Sequence, residues 1–116
     1  MGYSVILRGE TPMTKLEREI EAKLRKVVEA HGGLCVKWVC PGWAGVPDRL
    51  VLLPGGTLMF VELKRPKGGE ISSLQRWWQR KLSSLGFDCW FIFDEAGIKT
   101  LELVILDRLN GQRCCR

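Results

Sequence analysis

Apolar residues recur at Leu16, Ile20, Leu24, Val27 and Val28 until Gly32-Gly33 ends the run. These intervals of three and four trace one face of a helix. Thr14 and Glu17 stand at the capping-box spacing where it begins. Residues 34–39 are apolar and partly β-branched between that glycine pair and Pro41-Gly42, and they predict a strand. Residues 49–53 and 57–64 predict two more, joined through Pro54-Gly55-Gly56 as a hairpin. Helical spacing returns over residues 72–85, where Leu74, Trp77, Trp78, Lys81, Leu82 and Leu85 share a face and Gly86 is the stop. Residues 89–93 predict a fourth strand. Residues 95–109 predict a closing helix with Ile98, Leu101, Val104, Ile105 and Leu109 inward, although 101–106 also suits a strand. Residues 3–7 fit either an added strand or a loose arm.

The order helix, three strands, helix, strand, helix defines an α/β chain whose helices flank a mixed central sheet. The second helix is long enough to cross over between parallel strands. A chain of 116 residues has material for one core, so residues 1–116 read as a single domain, with its centre at about 14–94 and with 1–11 and 110–116 peripheral.

Composition narrows the function. Eighteen Lys and Arg against thirteen Asp and Glu give a net charge of +5, which suits a polyanionic partner without requiring one. Arg65, Lys67, Arg76, Arg80 and Lys81 concentrate that charge in one stretch. Five cysteines without a Cys-x-x-Cys pair indicate neither a disulfide framework nor a zinc ribbon. Cys35 and Cys89 lie in apolar runs and read as core. The chain contains neither a membrane-length apolar run nor the basic-then-apolar order of a signal peptide, so a soluble, unexported, intracellular protein is expected, with no membrane partner. The single histidine, His31, follows the first helix and gives histidine catalysis little support.

The chemistry gathers around the hairpin. On the third strand Leu58, Phe60, Glu62 and Lys64 share one side, and Met59, Val61 and Leu63 the other. An apolar face thus turns charged at its end, which costs several kcal/mol per buried ion unless something compensates. The three-residue loop sets a register that places Asp48 opposite Glu62. Two acids so opposed repel by roughly 0.2–1 kcal/mol, which argues for a cation between them. A hard divalent ion such as Mg²⁺ or Mn²⁺ takes carboxylate and carbonyl oxygens, so Asp48, Glu62 and the backbone carbonyl of Leu63 are the expected ligands. Lys64 then orients or deprotonates an attacking water, or neutralises a phosphate. The plain alternative is a Glu62–Lys64 ion pair at a solvent-exposed strand end.

Lys37, Gly45-Val46-Pro47-Asp48-Arg49, Glu62-Leu63-Lys64, Gly68, Ser72 and Gln75 together resemble the virus-type replication-repair nuclease (VRR-NUC) domain of the PD-(D/E)XK nuclease superfamily. The resemblance spans about residues 17–93. It implies a restriction-endonuclease-like core (α-β-β-β-α-β) and Mg²⁺- or Mn²⁺-dependent endonuclease activity on branched DNA such as Holliday junctions or flaps. It also implies a homodimer and a place in replication, repair or recombination, in the host cytoplasm for a viral chain. Glu21 would add a metal-binding carboxylate from the first helix, with Glu17 in reserve, although a solvated helix glutamate is the ordinary reading. Gln75 would stand beside the catalytic Lys64, or only return a hydrogen bond to its own helix N-terminus. Lys37, Arg49, Arg65 and Lys67 are the expected phosphate contacts. Trp43, in the loop before Asp48, is the aromatic residue best placed to meet substrate. The competing classes are a catalytically silent nucleic-acid-binding module on the same fold and a basic dimerisation protein with a structural ion pair.

Overall fold

Pro54-Gly55-Gly56 closes the hairpin in the computed structural model, which describes residues 14–66 and 68–114, with side chains to Gly111. Residues 1–13, Lys67 and 115–116 lie outside the described residues, and with them the expectations for residues 3–7 and for Lys67. Gly55 and Gly56 have φ of 87° and 85°, a left-handed conformation that L side chains rarely adopt. They let strand β2 (Arg49–Leu53) return as β3 (Thr57–Leu63) in antiparallel register, Leu53 opposite Thr57 and Arg49 opposite Val61 without a bulge.

Strand β1 (Leu34–Lys37) pairs antiparallel with β2, and β4 (Asp88–Ile92) pairs parallel with β3. The four-stranded order β1-β2-β3-β4 is therefore mixed, as expected. β1 stops two residues short of the predicted Val39. Trp38 N–H still donates to Asp48 O at 2.8 Å, after which Pro41-Gly42 turns the chain away, Gly42 with φ 85°.

Helix α1 (Lys15–Ala30) begins with both bonds of the Thr14/Glu17 capping box in place. Its buried stripe of Ile20, Leu24 and Val28 packs on the sheet face made by Val51, Leu53, Met59, Val61, Leu63 and Ile92. Helix α3 (Glu95–Cys114) completes that core with Ile98, Leu101 and Ile105. Helix wins over strand at residues 101–106 for two reasons. The spacing of those three residues forms a stripe only in a helix, and Asp94 Oδ1 caps its first turn by accepting Gly97 N–H at 3.0 Å. α3 also runs beyond Leu109, and Arg108 chelates Asp88 through Nε at 3.0 Å and Nη2 at 2.9 Å. An ion pair of Lys23 with Glu95 and a hydrogen bond between His31 Nε2 and Glu102 Oε2 at 2.9 Å tie α1 to α3.

Helix α2 (Ser73–Ser84) covers the opposite sheet face, where Leu82 meets Phe60 and Cys89 with Trp38, Leu50, Leu58 and Trp78 around them. The result is three layers, α1 and α3, then sheet, then α2. Among the described residues no helix is long and apolar enough to cross a membrane.

Leu24 is fully buried between α1 and the sheet. Leu24→Ala should lower unfolding stability by about 2–5 kcal/mol, read from urea denaturation midpoints.

Candidate functional site

The hairpin register carries one step past its last ladder pair and sets Asp48 opposite Glu62, on the face that α2 covers. Asp48 Oδ1 accepts the Leu63 N–H at 3.2 Å, so the aspartate takes up a donor at the end of β3. Glu62 lies between that aspartate and α2, where its Oε2 accepts from Gln75 Nε2 at 3.1 Å. Lys64 Nζ donates to Gln75 Oε1 at 2.7 Å and stands 3.7 Å from Glu62 Oε2. One glutamine amide thus holds the acid with its nitrogen and the amine with its oxygen.

Gln75 both stands beside Lys64 and caps its own helix. Its Oε1 also accepts Ser72 N–H at 3.0 Å while its own N–H donates to Ser72 Oγ at 3.1 Å, which is the capping box of α2. The expectation of a plain surface ion pair does not hold. The Glu62 and Lys64 side chains are only 12% and 13% exposed.

Burial governs the electrostatics. Desolvation, reinforced by the neighbouring Asp48 charge, pushes the Glu62 carboxyl from an ordinary 4.5 up to about 7, against the pull of Lys64. Desolvation also raises Asp48, although Arg49 and the Leu63 N–H oppose it. Burial pushes the Cys35 and Cys89 thiols up to about 11, so thiolate chemistry has no support at either.

Arg49 is placed otherwise than expected. The alternation that sends Asp48 toward α2 sends Arg49 to the α1 face with Val51 and Leu53, and it is 3% exposed. Its guanidinium binds Glu21 Oε2 through Nη2 at 2.7 Å and Nε at 3.1 Å, and donates to Asp48 O at 3.0 Å. A buried, carboxylate-paired arginine is not a phosphate grip, and Arg49 is corrected to a structural role. Glu21 is correspondingly the partner of Arg49, with Arg25 at 3.5 Å on its other oxygen. Glu17 is spent in the cap of α1. Among the described residues no three His, Cys, Asp or Glu side chains gather into a metal-binding group. The helix carboxylate is therefore not brought to Asp48 and Glu62.

Lys37 is exposed on β1 opposite Arg49, and Arg65 is exposed just past β3. Trp43 is exposed in the loop before Asp48. Gly45 in that loop has φ 81°, and a Cβ there would come within 2.6 Å of Leu74 Cγ on α2. Trp78 Nε1 donates to Ala44 O at 2.9 Å. The Asp48 loop and the Gln75 helix are thereby packed together, a tie that nothing in the residue spacing announced.

The donor set suits a hard divalent cation. Two carboxylates face each other on adjacent strands, and desolvation keeps both raised although Arg49 and Lys64 pull each of them down. Backbone carbonyl and water oxygens would complete such a site.

No family profile matches the chain. A protein named "Putative nuclease p44", of the Acyrthosiphon pisum secondary endosymbiont phage 1, is 47% identical over 51 residues, 44% of this chain. The match spans 50% of that protein's length. A solved structure titled "VRR_NUC domain" superimposes with a TM-score of 0.70 at 26% identity, over 76% of this chain and 95% of that one. The architecture is thus the α/β, restriction-endonuclease-like one. More narrowly, it is the fold of the VRR-NUC domain, as the motif around Asp48, Glu62 and Lys64 implied.

Two predictions follow from the two faces. Glu62 has a folded pKa above its unfolded one, so its stabilising contribution is complete below about pH 4.5 and is lost as pH rises through about 7. In chelator, the urea midpoint of the wild type should fall over that interval, and Glu62→Gln should flatten the fall. Arg49→Ala strands Glu21 in a partly buried site and should cost about 3 kcal/mol of stability. If Arg49 served mainly to bind DNA, the same variant would unfold like the wild type and lose affinity instead.

Proposed function

We propose that the chain is a divalent-metal-dependent DNA endonuclease whose active site is Asp48, Glu62, Lys64 and Gln75. The supporting observation is the pair of opposed carboxylates, both raised by desolvation, with an amine held beside Glu62 by Gln75. The VRR-NUC fold and the phage relative's name support the same reading.

Asp48, Glu62 and the Leu63 carbonyl would hold Mg²⁺ or Mn²⁺ between β2 and β3. The bound ion would lower the pKa of a coordinated water and offset charge developing on the phosphate oxygens. Lys64 directs an ammonium at the same place, restrained by Gln75 Oε1, and serves to orient the water or neutralise a phosphate oxygen. Gln75 also stands at the N-terminus of α2, where free backbone N–H groups favour a phosphate. The amide therefore fixes acid and amine relative to the helix that would receive the substrate.

Phosphate contacts in this reading come from Lys37, Arg65 and Lys67, with Arg49 withdrawn to the interior. The net charge of +5 suits DNA as substrate. Branched DNA and a homodimeric enzyme remain part of the proposal through the resemblance, since a two-fold dimer matches a four-way junction. Glu21 enters only as the residue that buries and orients Arg49 behind Asp48.

The test is cleavage of labelled four-way, flap and linear duplex DNA by the purified protein, with Mg²⁺, Mn²⁺ or chelator. Activity should require the metal and favour the branched substrates. Asp48→Ala, Glu62→Ala and Lys64→Ala should each lower the rate by at least about 100-fold. Gln75→Ala should lower it less, by roughly 10-fold, because it removes restraint rather than charge. Cleavage that persists in Asp48→Ala and Lys64→Ala would sink the assignment.

A further inference from the structure

Beside the proposed active site lies an aromatic cluster that the phosphodiester chemistry leaves unused. Trp43 from the loop before Asp48 and Trp77 from α2 meet Trp78 at ring centroids 5.7 Å and 5.2 Å away, with interplanar angles of 74° and 89°. Trp78 is the anchor, half-buried against the sheet and bonded to Ala44 O. Neither outer ring lies flat on it. Trp43 remains 61% exposed and Trp77 50%, with Leu74 exposed beside them. Large aromatic rings held rigidly in solvent mark a contact surface.

The surrounding charge indicates what that surface contacts. The twelve residues of α2 include Arg76, Arg80 and Lys81 and no acid. All three are exposed, and Arg76 is 5.8 Å from the centroid of the Phe91 ring. Residues 38–47 carry no charged side chain. Rings interleaved with cations form the surface that single strands bind, the bases stacking and the backbone meeting positive charge. Gln75 precedes Trp78 by three residues, about one helical turn, which links this surface to the phosphate site.

We propose that Trp43 and Trp77 are a stacking platform for unpaired DNA bases flanking the phosphate received by Lys64 and the N-terminus of α2. The substrate is then DNA with a single-stranded stretch at the cut, such as a flap or the unpaired centre of a branch. The inference rests on the nuclease reading only for what happens at the phosphate; the platform itself requires no metal.

The experiment measures anisotropy of a labelled oligo(dT) of roughly 12 nucleotides, a length within single-strand site sizes, and of a duplex of equal length, both in chelator. Trp43→Ala and Trp77→Ala should each weaken oligo(dT) binding by about tenfold and change duplex binding by less than about twofold. Trp43→Phe should recover most of the loss, because it restores a ring. Equal weakening on both DNAs, or none on either, would overturn the platform. So would sedimentation showing that the two variants dissociate a wild-type dimer while oligo(dT) affinity is unchanged, since a second copy would then cover the rings. Metal-dependent cutting by the wild type is scored separately: its absence removes the nuclease reading and leaves the binding result to decide the platform.

Discussion

Two carboxylates face each other across a pair of strands, and the rest of the site exists in relation to that repulsion. Asp48 and Glu62 are brought together because β2 and β3 pair residue for residue around a loop of three. Folding therefore sets two acids together where water is partly excluded; desolvation raises both, and the Asp48 charge raises Glu62 further. Lys64 relieves part of this conflict and Gln75 ties the two halves together. Carboxylates raised in this way cluster at functional sites.

The same strand alternation that creates the conflict separates it from a second polar centre. Asp48 and Arg49 are neighbours in the chain yet point to opposite faces of the sheet. The aspartate meets Glu62 under α2, and the arginine meets Glu21 under α1. Asp48 O accepts from both Arg49 Nη1 and Trp38 N–H, and the same Arg49 nitrogen stands 3.6 Å from Asp48 Oδ2. The arginine thus acts as a strut behind the aspartate, fixing the end of β2 from the side away from the substrate.

Much of this could be read from residue order, and the exceptions have physical causes. The helices, the hairpin and the Asp48–Glu62 register depend on local periodicity and loop parity, which sequence displays directly. Ser72 and Gln75 showed the cap, and the motif showed the second task of Gln75. Arg49 was misplaced, although the signal was present: it shares parity with Val51 and Leu53, which makes it inward. Glu21 was harder, since a glutamate on a helix flank looks the same whether water or a buried guanidinium receives it. The extent of α3 past Leu109 was hidden because its last residues are polar, and its hold on β4 comes from Arg108 reaching Asp88 across the fold. The Trp78–Ala44 bond joins residues 34 apart and has no local signature.

The Gln75 oxygen couples the start of α2 to the amine at the end of β3. That atom receives both the Ser72 amide that begins α2 and the Lys64 amine. Fraying of the helix start would therefore release the lysine at the same moment. The acid goes with it, because the Nε2 of the same amide donates to Glu62 Oε2. Order in that one helical turn thereby governs whether amine and carboxylate are held together at the end of β3.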